Sequence, residues 1–171
     1  NQNEGKLFLK QGASINYEST DKYTVRIRVT DSTNLASLSD LEFEVQVIDE
    51  NEPPSWSHST ASYSLDETSD GGFHVADMSV VDPDNDSILY TMTSGDDSLF
   101  RLNGLTGEIT TAAGASFDYE STTLYSLTIH AEESGTLESY SATSTITVSI
   151  NDVNDMYLDS ISPLTLPSCI L

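Results

Sequence analysis

Apolar and polar residues alternate with a period of two along most of this chain. Tyr23, Val25, Ile27 and Val29 are interleaved with Thr24, Arg26 and Arg28. Phe43, Val45 and Val47 alternate with Glu42, Glu44 and Gln46, and Ile146, Val148 and Ile150 with Thr147 and Ser149. Such spacing puts every apolar side chain on one face of an extended chain, which predicts half-buried strands. Ser62–Leu65, Phe73–Val80, Ile88–Thr93, Leu99–Leu102 and Glu108–Thr111 are further strand candidates. They are separated by turn chemistry: Asp70-Gly71-Gly72, Pro83-Asp84-Asn85-Asp86 and Asn103-Gly104. No long apolar stripe recurs at helical spacing. The predicted class is therefore all-β, and seven short strands over roughly 100 residues predict a Greek-key β-sandwich.

The pattern occurs twice. Gly12-Ala13-Ser14-Ile15-Asn16-Tyr17-Glu18-Ser19-Thr20 returns as Gly114-Ala115-Ser116-Phe117-Asp118-Tyr119-Glu120-Ser121-Thr122, with seven of nine residues identical at an offset of 102. Val25, Ile27 and Val29 then match Leu127, Ile129 and Ala131, and Asp49–Glu52 matches Asp152–Asp155 at an offset of 103. A period of this size is a small domain rather than a solenoid turn. The expected organisation is the C-terminal part of one repeat in residues 1–52, a complete repeat in 53–155 and a tail in 156–171. The first copy holds its last three predicted strands and lacks the equivalent of about Pro53–Thr106. Its apolar face is then exposed, unless the chain is cropped or another chain adds the missing strands. The opening residue is Asn rather than Met, which agrees with a piece of something longer.

Charge narrows the function. Of 171 residues, 28 are acidic and 6 basic, for a net charge of −22. Binding to phosphates is driven by Lys and Arg, so no nucleic-acid partner is expected and anionic membrane surfaces are disfavoured. The single cysteine, Cys169, cannot form an intramolecular disulfide. Neither a signal peptide nor a membrane span is visible, so any membrane attachment lies in parts outside this chain. The acids gather at strand ends and at the linker Asp49-Glu50-Asn51-Glu52-Pro53-Pro54, where two prolines stiffen the connection. Carboxylates crowded at a junction repel one another unless neutralised. A hard divalent cation with six to eight oxygen ligands neutralises them.

These residues resemble the cadherins. The resemblance covers almost the whole chain up to Asp155 and rests on four motifs. They are Asn16-Tyr17-Glu18 with Asp118-Tyr119-Glu120, the loop Asp82-Pro83-Asp84, the linker Asp49–Glu52 with Asp152–Asp155, and Glu67 closing the first strand. It implies the cadherin-type sandwich, seven strands per repeat in tandem, and three Ca2+ ions at each junction. At the first junction it implies Asn16 and Glu18 from the upstream repeat and Asp49, Asn51, Glu52 and the Glu50 carbonyl from the linker. Asp82, Asp84 and Glu133 come from the downstream repeat. At the second it implies Glu67, Asp118, Glu120, Asp152, Asn154 and Asp155. The sequence also departs from the family pattern. Asn16 stands where an acid is usual, Glu52 and Glu133 replace shorter Asp residues, and Met156-Tyr157 follows where a next repeat would begin. These changes imply weaker binding, in the millimolar range of extracellular modules.

Catalysis has no support. His58, His74 and His130 are scattered, no Gly-x-Ser-x-Gly elbow occurs, and the paired acids occupy linkers rather than a pocket. Trp56 is expected in the core, and Asn85-Asp86-Ser87 is an N-glycosylation sequon. The resemblance implies a calcium-dependent adhesion or spacer repeat, extracellular or at the cell surface, with other cadherin-like repeats of the same or a neighbouring chain as partners. The alternatives are a cadherin-like polysaccharide-binding module of a microbial surface protein, or a subunit of an extracellular fibre. A sugar-binding face would carry exposed aromatics, for which Tyr140 and Tyr157 are the candidates.

Overall fold

The computed structural model describes residues 5–33, 35, 40–57 and 61–154, and among them only strands and turns occur. The strands are β1 (Lys22–Ile27), β2 (Leu41–Gln46), β3 (Ser55–Trp56), β4 (Ser62–Asp66), β5 (His74–Asp77) and β6 (Val80–Val81). They continue with β7 (Ser87–Ser94), β8 (Phe100–Leu102), β9 (Glu108–Thr111), β10 (Leu124–Ser134) and β11 (Ser141–Asn151). Asp155, the tail Met156–Leu171 with Cys169 and Tyr157, and His58 lie outside the described residues.

From β3 onward the chain builds two sheets around one core. A four-stranded sheet runs β4-β11-β10-β7, and a three-stranded sheet runs β5-β9-β8. β10 pairs antiparallel with β11 and β7, whereas β4 lies parallel to β11, with Leu65 opposite Ile150. Alternation does the sorting. On β10, Leu127, Ile129 and Ala131 point inward at 0% exposure while Ser126, Thr128 and His130 point out. On β11, Ile146, Val148 and Ile150 do the same against Thr145, Thr147 and Ser149. The facing sheet supplies Val75, Ala76, Phe100 and Ile109, and β4 supplies Leu65. Phe100, Phe117 and Tyr125 form an aromatic triangle with centroids 5.5–5.9 Å apart. Full burial of each large apolar side chain contributes about 1.5–3 kcal/mol, which makes this core the main source of stability. Trp56 is half-buried against it, 6.2 Å from the Tyr90 ring.

The predicted strand Phe73–Val80 is divided. Its first part, β5, pairs with β9, and its last residue enters β6, which pairs with β3. Between them the Met78 N–H donates 2.9 Å to the Gly107 carbonyl and the Ser79 carbonyl accepts from Ser57 N–H. The chain thus changes sheets at Met78-Ser79. Gly107 makes this crossing possible: its φ is +75°, and a Cβ there would lie 2.2 Å from the Met78 carbonyl oxygen.

In the first copy two strands are present among the described residues rather than the three expected. β1 and β2 form a hairpin with Tyr23 opposite Val45 and Val25 opposite Phe43. Arg26–Glu42 and Arg28–Asp40 ion pairs, both 2.8 Å, clip its polar face. The apolar face is open. Tyr23 is 41% and Ile27 38% exposed, whereas Leu127 and Ile129, the equivalents of Val25 and Ile27, are at 0%. Leu7, Phe8 and Leu9 lie over this face and help line an apolar cavity of about 420 Å³. The difference is one of neighbours. β10 and β11 are flanked by β7 and β4, and β1 and β2 have no such partners among the described residues.

Candidate metal centre

The linker after β2 meets the top of the sandwich at a cleft of about 1110 Å³, lined among others by Glu18, Asp49, Glu50, Asn51, Asp84 and Asp86. Its floor is the loop between β6 and β7. The Asp86 N–H donates 3.1 Å to Asp82 Oδ1, and the Asn85 N–H 3.3 Å to the Asp82 carbonyl. Asn85 adopts a φ of 62°, a conformation Asn tolerates better than most residues. The tight turn brings carboxylate oxygens of Asp82, Asp84 and Asp86 within 4.8 Å of one another. Asp84 also belongs to a second group, with Glu18 and Glu52, that meets the same distance limit.

Backbone and amide donors hold Asp82, Asp84 and Glu133 by one oxygen each. The Glu52 N–H donates 2.9 Å to Asp84 Oδ2. Glu133, 4% exposed at the end of β10, accepts from Asn51 Nδ2 at 2.7 Å and from the Tyr140 N–H at 2.9 Å, both through Oε2. The remaining oxygens Glu52 Oε2, Asp82 Oδ2, Asp86 Oδ2 and Glu133 Oε1 are buried without any hydrogen-bond partner. A buried charged oxygen without a partner is costly, and Asp86 lies close enough to Asp82 and Glu133, and Glu52 to Asp84, for their charges to repel. The donor set, all carboxylate and carbonyl oxygen, suits a hard cation such as calcium.

Titration follows from that crowding. Asp49 is held above the ordinary carboxylate range by partial desolvation and then by the charges of Asp84 and Glu18. Glu52 is raised by desolvation, then by Glu18, Asp84 and Asp49, and Asp86 by desolvation, then by Asp82, Glu133 and Asp84. For raised acids the folded chain binds protons that the unfolded chain does not. The stability tied to them is present at low pH and lost as pH rises through their folded pKa values. Asp31, Asp96 and Asp118 are lowered, mainly by hydrogen bonds from Thr33, Ser98 and Ser121, and work in the opposite sense below the usual carboxylate value. In chelator, the melting temperature should therefore rise as pH falls through the range just above the ordinary carboxylate value, where the raised acids take up protons, and decline at lower pH, where the lowered acids do. A melting series should find the rise flattened in the Asp49→Asn/Glu52→Gln/Asp86→Asn variant; an unchanged slope would show that these acids are not coupled.

Of the other residues expected here, Asn16 is engaged locally. Its Nδ2 donates 2.6 Å to Glu18 Oε2 and its Oδ1 accepts from the Ser19 N–H. Glu50 lines the cleft without a recorded side-chain bond. Asn51 ties the linker to the β10–β11 loop, donating also to the Glu138 carbonyl at 2.9 Å. Asp86 was missed by the sequence reading, although the step Asp82-x-Asp84 continues to it in the sequence.

At the opposite end of the sandwich, Glu67, Asp118 and Glu120 form a third group with oxygens within 4.8 Å. Glu67 bridges chain segments, accepting from the Val153 N–H at 2.7 Å and the Tyr119 N–H at 2.9 Å. Asp118 caps its own turn through Ser121. Asp152 and Asn154 are exposed and belong to none of the acid groups, and Asp155 lies outside the described residues. For the polysaccharide alternative, Tyr140 is 40% exposed at the first cleft, and nothing else among the described residues favours it.

Known proteins share this fold and sequence pattern. The family profile described as Cadherin domain matches residues 61–151. Protocadherin Fat 4 of Mus musculus is 30% identical over 145 residues, which is 81% of this chain and 3% of that protein. Cadherin-related family member 1 of Mus musculus is 26% identical over 163 residues, 92% of this chain and 18% of that protein. The chain thus spans a small part of these relatives. Among solved structures, the human desmocollin-1 ectodomain superposes with a TM-score of 0.61 at 23% identity, covering 84% of this chain and 28% of that one. Cadherin domains 1–5 of protocadherin gamma B2 give 0.62 at 26% identity, covering 82% and 27%.

Proposed function

Since this chain belongs to the cadherin family, we propose that it is a calcium-binding segment of an extracellular adhesion or spacer array, in which cations fix the junction between successive repeats. Residues 1–52 then end one repeat, 53–155 form a complete one, and 156–171 are a tail. The observation that carries this reading is the set of four buried, unpartnered carboxylate oxygens of Glu52, Asp82, Asp86 and Glu133, one from the linker and three from the second sandwich. Glu18 reaches the same cluster from the upstream segment. Bound calcium supplies the positive charge and the six to eight oxygen contacts that such a cluster demands.

The chain's own residues do the rest. Glu18, Asp49 and Glu52 approach from the upstream side, and Asp82, Asp84, Asp86 and Glu133 from the downstream side. Asn16 and the Glu50 carbonyl contribute neutral oxygens at the rim. Asn51 holds linker and sandwich together through Glu133 and Glu138. Neutralising this cleft lets the two segments pack without mutual repulsion, so the array stays extended and its lateral surfaces reach other repeats of the same or a neighbouring chain. Glu67, Asp118 and Glu120, with Asp152, Asn154 and Asp155, would serve a following junction. The role is one of binding and geometry rather than catalysis. Asn85 of the sequon is exposed but lines the same cleft, so a glycan there would stand beside the acids.

Limited proteolysis tests the junction. A Glu-specific protease should cut after Glu50 readily in chelator and at least tenfold more slowly in millimolar calcium, as read by mass spectrometry. Equal rates in both conditions would show that calcium does not order the linker, and would remove the spacer mechanism.

A further inference from the structure

Building on the spacer reading, in which lateral surfaces meet other repeats, we infer that the outer face of the sheet β4-β11-β10-β7 is where a second copy of this chain docks, through serine and threonine hydroxyls rather than ion pairs. The chain carries its own comparison. In the first copy the outward face of the β1–β2 hairpin is charged: Arg26 stands opposite Glu42, Thr24 opposite Glu44, and Arg28 pairs with Asp40. At offsets of 102 and 103 these places hold Thr128 opposite Thr145 and Ser126 opposite Thr147, with His130 in place of Arg28. Strand propensity does not require the change, because the ion-paired version forms the same ladder in the same chain. Charged groups resist being covered because they must be desolvated, whereas hydroxyls lose far less. The neutral version is the one that a partner can cover.

The neutral face is broad. Thr91 lies opposite His130 on β7, and Ser62 lies opposite Thr147 on β4. Over the five rows from Leu89 to Leu124, Glu132 is the one carboxylate, and Asp66 lies beyond the last row. Neighbouring hydroxyls meet within the face: Thr128 Oγ1 and Thr145 Oγ1 are 3.2 Å apart, and Ser62 Oγ and Thr147 Oγ1 3.1 Å. Each hydroxyl has one donor and two lone pairs, so these contacts leave hydrogen-bonding capacity unused.

Two properties select a copy of the same chain as the occupant. Groups that both donate and accept complement themselves, as two-fold symmetric pairing requires. Charge points the same way: chains of net charge −22 repel one another wherever acids meet, and this face brings only Glu132. Leu89 and Leu124, 46% and 57% exposed in the first and last rows, add apolar contact. With strands about 4.8 Å apart and rows about 6.8 Å apart, three outward positions in each row cover roughly 500 Å² per copy, the size of a weak and transient interface. Such a contact gains strength when several repeats engage together.

Sedimentation velocity of the full chain in millimolar calcium, from about 10 μM to about 1 mM, tests this. The chain should pass from monomer to dimer over that range, and more completely as salt is raised, because salt screens the repulsion between copies. Thr128→Arg/Thr145→Glu, which rebuilds the ion pair of the first copy, and Thr143→Glu should each weaken the dimer at least tenfold while melting as the unsubstituted chain does. Ile27→Asp, on the open face of the first hairpin, should leave the dimer intact. A chain that stays monomeric throughout, a dimer that weakens with salt, one that survives either face variant, or one lost only in Ile27→Asp overturns the inference. None of these outcomes touches the calcium reading, which linker proteolysis tests by itself.

Discussion

Millimolar calcium should raise the melting temperature of this chain by roughly 10–20 °C over chelator, and Asp84→Ala should remove most of that rise. The size follows from linkage. A cation that binds only the folded junction stabilises it by about 2.7 kcal/mol at a hundredfold excess over Kd, and each kcal/mol shifts the melting point of a domain of roughly 100 residues by about 4–8 °C. Asp84 is the acid to remove because it belongs both to the Asp82–Asp86 group and to the Glu18–Glu52 group. Its loss strikes two positions at once, whereas Glu18→Ala strikes one and should keep at least half of the shift. In chelator the sign reverses. Asp84 raises its neighbours Asp49 and Glu52 by repulsion, so the Ala variant should melt no lower than the unsubstituted chain. Scanning calorimetry in the two buffers distinguishes the cases. A shift of equal size in Asp84→Ala would mean that calcium acts elsewhere, and no shift in either chain would leave the acids as a solvating surface on an intact sandwich.

The sandwich was legible because it rests on alternation. The inward positions of β10 and β11 could be read from Leu127, Ile129, Ile146 and Val148 against their Ser and Thr neighbours, and all four are at 0–1% exposure. What could not be read was where the chain changes sheets. Phe73–Val80 carries one continuous pattern, and only the bond from Met78 N–H to the Gly107 carbonyl, made possible by a glycine nearly thirty positions on, divides it. The acids were legible by type and not by partner. The spacing Asp-x-Asp marked Asp82 and Asp84. Asp86 escaped because its nearness to them depends on the turn at Asn85, whose φ of 62° is not written in any periodicity. Asn51 was expected as an oxygen donor, and its amide nitrogen proves to be occupied with Glu133 across 82 residues of chain. Long-range pairing of that kind leaves no trace in local pattern.

The largest loss of stability from a single substitution should come from Phe100→Ala, about 3–5 kcal/mol in denaturant melts at saturating calcium. Phe100 is at 0% exposure on β8 and meets both Phe117 and Tyr125, with centroids at 5.6 and 5.5 Å. Truncation would leave a cavity between the two sheets. The walls cannot close on it easily: Phe117 and Tyr125 are braced against each other at 5.9 Å, and Tyr125 is fixed on β10 opposite Val148. The first copy offers an internal control for the same chemistry in a different setting. Val25 stands where Leu127 does in the repeat, yet its face is open. Truncating Leu127 to Ala should cost about 2–5 kcal/mol, while Val25→Ala should stay within about 1 kcal/mol, in the range of substitutions that create no closed cavity. A cost at Val25 equal to that at Leu127 would mean that the first copy is packed as tightly in solution as the second, by strands from another chain or another copy. The open face of β1 and β2 would then be an occupied interface rather than an unfinished core.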